Sequence, residues 1–172
     1  REDGARVTLR RIVPIMLAVL SGCAGGAGRE LELEERWRPL RSVVEVSDLQ
    51  ARHRYTTIGE HVYVRSLRDF DAHLPPGSVE RDALLLHEQV HAKRQLEQGL
   101  PEWLSRYATD PAFAWREERL GWEAELRHLR AHGRKVALEA VVQALLRYRT
   151  VVTRLPLADE TEIRTWAAVV LR

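Results

Sequence analysis

A single cysteine, Cys23, occurs among 172 residues, which excludes an internal disulfide framework and a cysteine-rich zinc cluster. Any metal held by this chain must rest on histidine and carboxylate. An excess of one charge is lacking as well: 27 basic residues face 25 acidic ones, a net charge of +2, and the arginines are scattered rather than gathered in a block. That pattern carries no nucleic-acid signature. There is no repeat of about 20–50 residues, and low complexity is confined to a glycine cluster at 22–28. The apolar run from Ile12 to Leu20 falls well short of the roughly 20 residues a membrane-spanning helix needs. What is present, 45% hydrophobic residues in a chain of this length, suffices for one sizeable core and predicts a single domain.

The N-terminal stretch "RVTLRRIVPIMLAVLSGC" places Arg6, Arg10 and Arg11 before the apolar run and small residues after it. This is the architecture of a secretory signal peptide. Leu20-Ser21-Gly22-Cys23 resembles the lipobox of bacterial lipoproteins, in which the cysteine becomes the lipid-modified first residue of the mature chain. The resemblance implies that 1–22 is a signal peptide and that 23–29 is the lipidated Cys23 with a flexible glycine tether. It leaves 30–172 as one folded domain, held to the membrane through a lipid on Cys23. It also implies a bacterial envelope location, with Ala24 favouring the outer membrane, facing the periplasm, over the inner one.

Along the mature chain, "RELELEERWRPL" reads as weakly helical and stopped by Pro39. Residues 54–64, "RYTTIGEHVYV", are enriched in β-branched and aromatic side chains around Gly59 and read as a short strand or hairpin. From residue 78 onward the pattern is helical. "HLPPGS" forbids helix before it, Ser78 is an N-cap, and Gly99 can terminate a helix of about five turns over Val79 to Gln98. A short helix fits Pro101 to Ala108. Asp110 followed by Pro111 opens a long helix closed by Gly133, and two more fit Lys135 to Thr150 and Ala158 to Leu171. The expected class is mainly α, in an α+β arrangement with a small β element before the first long helix.

That first long helix contains "LLLHEQVHAKRQ". Positions i and i+4 share one helix face, so His87 and His91 can present both imidazoles to one cation. Glu88, one step round, suits a group that does not ligate the metal but reaches its water. This is the mechanical content of H-E-x-x-H, which would arise by chance at this composition with a probability of about 3%. The plain alternative is two polar spots on an amphipathic helix.

Catalytic zinc commonly takes three protein ligands, and no later histidine has the H-E-x-x-H-x-x-G-x-x-H spacing. The helix "DPAFAWREERLGWEAELRHLRAHG" offers Glu117, Glu118, Glu123 and Glu125. Glu118 lies beside the apolar stripe of Trp115, Trp122, Leu126 and Leu129. Glu123, with Arg119 and Arg127 four residues to either side, fits a solvated, salt-bridged face. Glu125, near Trp122 and Leu129, is the closest competitor.

Together "TTIGEHVYV", "LLLHEQVHAKRQ", "EWLSRYATD" and "FAWREERLGW", spanning about residues 54–126, resemble the gluzincin branch of zinc metallopeptidases. There a strand precedes the H-E-x-x-H helix, and the third ligand is a glutamate on a later helix, often with Ala or Gly at +3. Glu118 with Gly121 matches this feature, whereas Glu123 and Glu125 have Leu126 and His128 at +3. The resemblance implies a helical, zincin-like domain with one Zn²⁺ on His87, His91 and Glu118. It implies Glu88 as general base in peptide hydrolysis, and a peptide or protein substrate paired along an edge strand at 56–64. Tyr107, Tyr148 and His128 are open candidates for the oxyanion donor.

His128 and His132 repeat the i, i+4 spacing but have no organised third group and fit a solvent-facing helix end. The five tryptophans fit packing better than ligand stacking. A non-catalytic envelope lipoprotein with a structural or vestigial metal site is the alternative of another class, and a zinc hydrolase of a non-peptide bond is a third. Glu88 favours an enzyme, since a structural site needs ligands but no base.

Overall fold

A computed structural model of the chain describes residues 29–46 and 55–172. Cys23, the expected signal peptide and nearly all of the expected tether lie outside the described residues. The described chain is mainly α, with six α-helices and one four-stranded sheet.

The sheet comprises β1 (Glu30–Glu32), β2 (Ser42–Glu45), β3 (Tyr55–Ile58) and β4 (His61–Val64) in the order β1-β2-β4-β3. β3 and β4 form the expected hairpin, with Ile58 opposite His61 across a turn at Gly59 and Glu60. Gly59 has φ +61°, a left-handed conformation that glycine adopts without a Cβ penalty. β2 runs parallel to β4, and β1 antiparallel to β2.

The "RELELEERWRPL" segment departs from the weak helix expected: it forms β1 and a single 3-10 turn at Glu35–Trp37. Its leucines alternate with glutamates, a period of two that suits an edge strand with one face inward, and Leu31 and Leu33 pack against the core.

Helix α1 (Leu67–His73) is also unanticipated. Ser66 caps it by accepting from Asp69 N at 3.2 Å, and Leu67 and Phe70, three apart, are buried beneath it. Helix α2 (Val79–Gln98) has the expected bounds, and Ser78 Oγ accepts from Arg81 N. Helices α3 (Leu100–Thr109) and α4 (Pro111–Ala131) follow, with Asp110 capping α4 through Phe113 N at 3.1 Å. Helix α5 (Leu138–Leu145) is much shorter than the Lys135 to Thr150 expected. Thr150 N donates to Leu155 O, and Thr150 Oγ1 accepts from Leu155 N. These local bonds compete with helix propagation and turn the chain. Helix α6 (Glu160–Val170) is capped by Asp159.

Two apolar cores result. One joins the sheet to α1 and α2 through Val43, Val62, Val64, Phe70, Leu85 and Ala92. The other joins α4, α5 and α6 through Trp115, Leu126, Val141, Leu145 and Ile163. Each fully buried leucine contributes roughly 1.5–3 kcal/mol relative to exposure. Helices α2 and α4, one from each core, pack against one another and bring their polar residues face to face. Four of the five tryptophans serve packing: Trp37, Trp103 and Trp115 are buried, and Trp115 meets Trp166 edge to face.

Candidate metal centre

Buried polar side chains concentrate where α2 meets α4: His87, Glu88, His91 and Gln95 from one helix, Glu117 and Glu118 from the other. The structure brings His87, His91 and Glu118 into one group able to hold a metal ion. His87 Nε2 lies 3.1 Å from His91 Nε2. Glu118 presents Oε2 at 3.7 Å from the first nitrogen and Oε1 at 3.6 Å from the second.

Does a cation fit? Tetrahedral zinc with ligands about 2.0–2.1 Å away sets its ligand atoms roughly 3.3 Å apart, close to this triangle. The donor set, two imidazoles and one carboxylate, is that of a three-ligand zinc site. Glu118 Oε2 is buried and accepts no hydrogen bond, a costly position for a carboxylate oxygen unless a cation faces it. The residues fit.

The surroundings orient this group. His87 Nδ1 lies 2.9 Å from Glu125 Oε2. A proton donated there leaves Nε2 with its lone pair toward His91 and Glu118, the usual arrangement of a carboxylate behind a metal-binding histidine. Glu125 therefore braces the His87 ring from behind, while Glu123 pairs with Arg127 on the outer face. Tyr107 donates its hydroxyl to Glu118 Oε1. His91 is held by rings, edge to face with Trp103 at 5.8 Å and Tyr107 at 6.3 Å.

Gly121, one turn after Glu118, admits the His87 ring. A Cβ built there would stand 2.5 Å from His87 Cδ2 and 2.6 Å from Nε2. The +3 position therefore requires glycine, and alanine does not fit.

Glu88 is buried beside the group, with one oxygen accepting from Thr57 Oγ1 at 2.7 Å. Burial pushes its carboxyl up, offset in part by the charge of His87 and the Thr57 bond. Without a cation, burial alone would depress His87, but its bond to Glu125 and the charges of Glu88, Glu125 and Glu118 overcome this and raise it to about 9. Burial raises Glu118 to about 7, against the opposing effects of the His87 charge and the Tyr107 bond. His91 is driven well down by burial, the His87 charge and Arg94.

Two ties fix the helices around the group. Arg94 grips the fully buried Glu117 with Nε on one oxygen and Nη2 on the other at 2.8 Å, joining α2 to α4. Gln95 accepts from Gly59 N at 2.7 Å and donates to Thr57 O at 3.0 Å, joining α2 to the hairpin. β3 is an edge strand, but Gln95 already engages these two backbone groups within the segment expected to pair with a peptide. Tyr55, at the start of β3, lines the adjacent cleft.

That cleft, about 380 Å³ in volume, is lined by His87 and Glu88 together with Trp122, Glu125, Tyr148 and residues around the end of α5. Of the three hydroxyl or imidazole groups considered as oxyanion donors, Tyr148 lines the cleft, Tyr107 is engaged behind Glu118, and His128 sits with His132 at the far end of α4. The roles of Thr57, Gln95 and Tyr107 escape sequence reading, since each depends on a contact 11 to 38 residues away. The +3 glycine is a signal that could have pointed to the His87 contact.

Comparisons with protein-family models, curated proteins and solved structures returned no match.

Proposed function

We propose that this chain is a zinc-dependent metallopeptidase of gluzincin type, tethered to the bacterial envelope by a lipid on Cys23. The observation that carries the reading is the buried triangle of His87, His91 and Glu118, with Glu88 beside it and with His87 and Glu88 lining a cleft. Zinc on these three side chains would supply a water of lowered pKa and a Lewis acid for a peptide carbonyl.

The chain's own residues supply the rest. Glu88, held by Thr57 through one oxygen, takes a proton from the attacking water and passes it to the leaving amine, and its raised pKa suits a group that must hold that proton briefly. Tyr148 keeps its hydroxyl proton because burial and the charge of Glu118 push its pKa well up, so it can donate to the oxygen on which negative charge develops. Tyr107 and Glu125 hold Glu118 and His87 in place. A cleft of this volume takes a few residues of an extended peptide or a protruding loop.

The test compares three variants of the purified protein by bound zinc and by hydrolysis of a peptide library. Glu88→Gln is expected to keep stoichiometric zinc and lose activity by roughly 10²–10⁴-fold, whereas Glu118→Ala loses the metal. Full activity in Glu88→Gln, or zinc bound equally by a His87→Ala/His91→Ala variant, would overturn the reading.

A further inference from the structure

The cleft beside the metal group has a second chemical feature that the reaction does not use. Arg147 and Arg149 line it on either side of Tyr148. Both are exposed. Of the two carboxylates that share the cleft with them, Glu125 is engaged at His87 Nδ1 and Glu88 at Thr57 Oγ1, and neither guanidinium forms an ion pair among the described residues. Other arginines are engaged in different ways: Arg81 pairs with Asp71 and Arg94 with Glu117, while Arg106 and Arg119 lie over the Phe113 and Trp115 rings.

The segment carrying them is held rather than loose. Arg149 Nη1 donates to Leu146 O at 2.6 Å and Tyr148 O at 2.7 Å, and Arg149 forms a bridge with Pro156. Thr150 is buried, and Val152 N donates to Ala108 O at 3.0 Å, tying the following turn to the end of α3. A guanidinium has five donors, so Arg149 retains donors beyond the two bonds that Nη1 makes. A fixed fork of donors in a cleft is preorganised for a carboxylate and needs little ordering when one arrives.

We propose that Arg147 and Arg149 form an anion subsite beside the metal group, and that the chain selects peptides carrying a carboxylate near the scissile bond. This rests on the peptidase reading above. The carboxylate belongs either to an acidic side chain or to a free C-terminus, and both present the same chemistry to the two guanidinium groups.

The experiment uses three peptides of one neutral sequence: amidated, amidated with one glutamate scanned along it, and with a free C-terminal carboxylate. Dissociation constants are measured on zinc-loaded Glu88→Gln, and cleavage on the wild type. A carboxylate-bearing peptide is expected to bind about tenfold more tightly than the neutral amidated one, each exposed charge contact being worth a few-fold. With Arg147→Gln and Arg149→Gln added, the gap should close to about twofold or less at unchanged zinc content, while Arg147→Lys/Arg149→Lys retains part of it. Preference for the glutamate peptide identifies a side-chain subsite, and preference for the free terminus a carboxypeptidase-like one. Equal binding of all three peptides, or a gap that survives both glutamine substitutions, overturns the subsite. Failure of the wild type to cleave any peptide that it binds would instead sink the peptidase reading, with the binding gap still deciding the subsite.

Discussion

His87 and His91 on α2, and His128 and His132 at the end of α4, share the same i, i+4 spacing, and their ring centroids stand 4.9 and 4.2 Å apart. The first pair is buried, faces Glu118 from another helix, and has Glu125 behind one ring. The second lies at a helix terminus where His132 Nδ1 turns back to His128 O at 2.9 Å, and no third ligand gathers there among the described residues. Spacing on one helix brings two imidazoles within reach of one point. It does not exclude water, supply a third donor or fix a tautomer. Those come from packing two helices together, and among the described residues it is the α2–α4 seam that gathers such a group.

The contrast breaks most readily at Gly121. Gly121→Ala puts a methyl group into the His87 ring, which is hemmed in by Glu125, His91 and Trp122 and cannot swing away cheaply. The expected cost is about 1–3 kcal/mol of stability, with weakened zinc binding, read by thermal unfolding and metal titration. An unchanged Tm and zinc affinity would mean that the seam is looser than described.

A smaller change makes the buried pair more like the one at the helix terminus, where His128 is half-buried and His132 exposed. Glu125→Gln removes the carboxylate behind His87 and should lower metal affinity roughly 10–100-fold. It also alters pH dependence. In the metal-stripped protein His87 is raised from 6.5 to about 9; a histidine raised on folding contributes stability that is fully present below pH 6.5 and lost as pH rises through 9. The stripped wild type should therefore weaken over that window, and Glu125→Gln should flatten the fall, as followed by denaturant unfolding at several pH values. A slope unaffected by the substitution would remove Glu125 as the cause.

At the small end, His128→Ala/His132→Ala should leave zinc content unchanged and shift stability by no more than about 0.5 kcal/mol. Loss of zinc in that variant would show that the two pairs are not functionally distinct.

Much of this contrast was legible in the chain. Ser78, Gly99, Asp110 and Pro111 punctuate α2 and α4 through local bonds, so their bounds follow from neighbouring residues. Helical phase placed Glu118 beside the apolar stripe but left Glu125 open, and only the resemblance to gluzincins, through Gly121, favoured Glu118; that the fully buried Glu117 also turns inward was not legible. β1 and β2 were missed because a strand of three or four residues is defined by its partners, and β2 finds β4 in parallel some nineteen positions away. The last five residues of the expected Lys135 to Thr150 helix were lost to bonds around Thr150 that helix periodicity does not register.

The sequence by itself determined which side chains could act: two imidazoles one turn apart, a glutamate next to the first, and a later helix bearing an acid and a small residue at fixed phase. Tertiary structure alone decided which acid turns inward, which one braces His87, and that Thr57, Tyr107 and Gln95 serve the group. Helical phase is a local property written every few residues. The meeting of α2 with α4 and with the hairpin is a consequence of burying two separate apolar cores, and no local pattern encodes which polar groups that burial will press together.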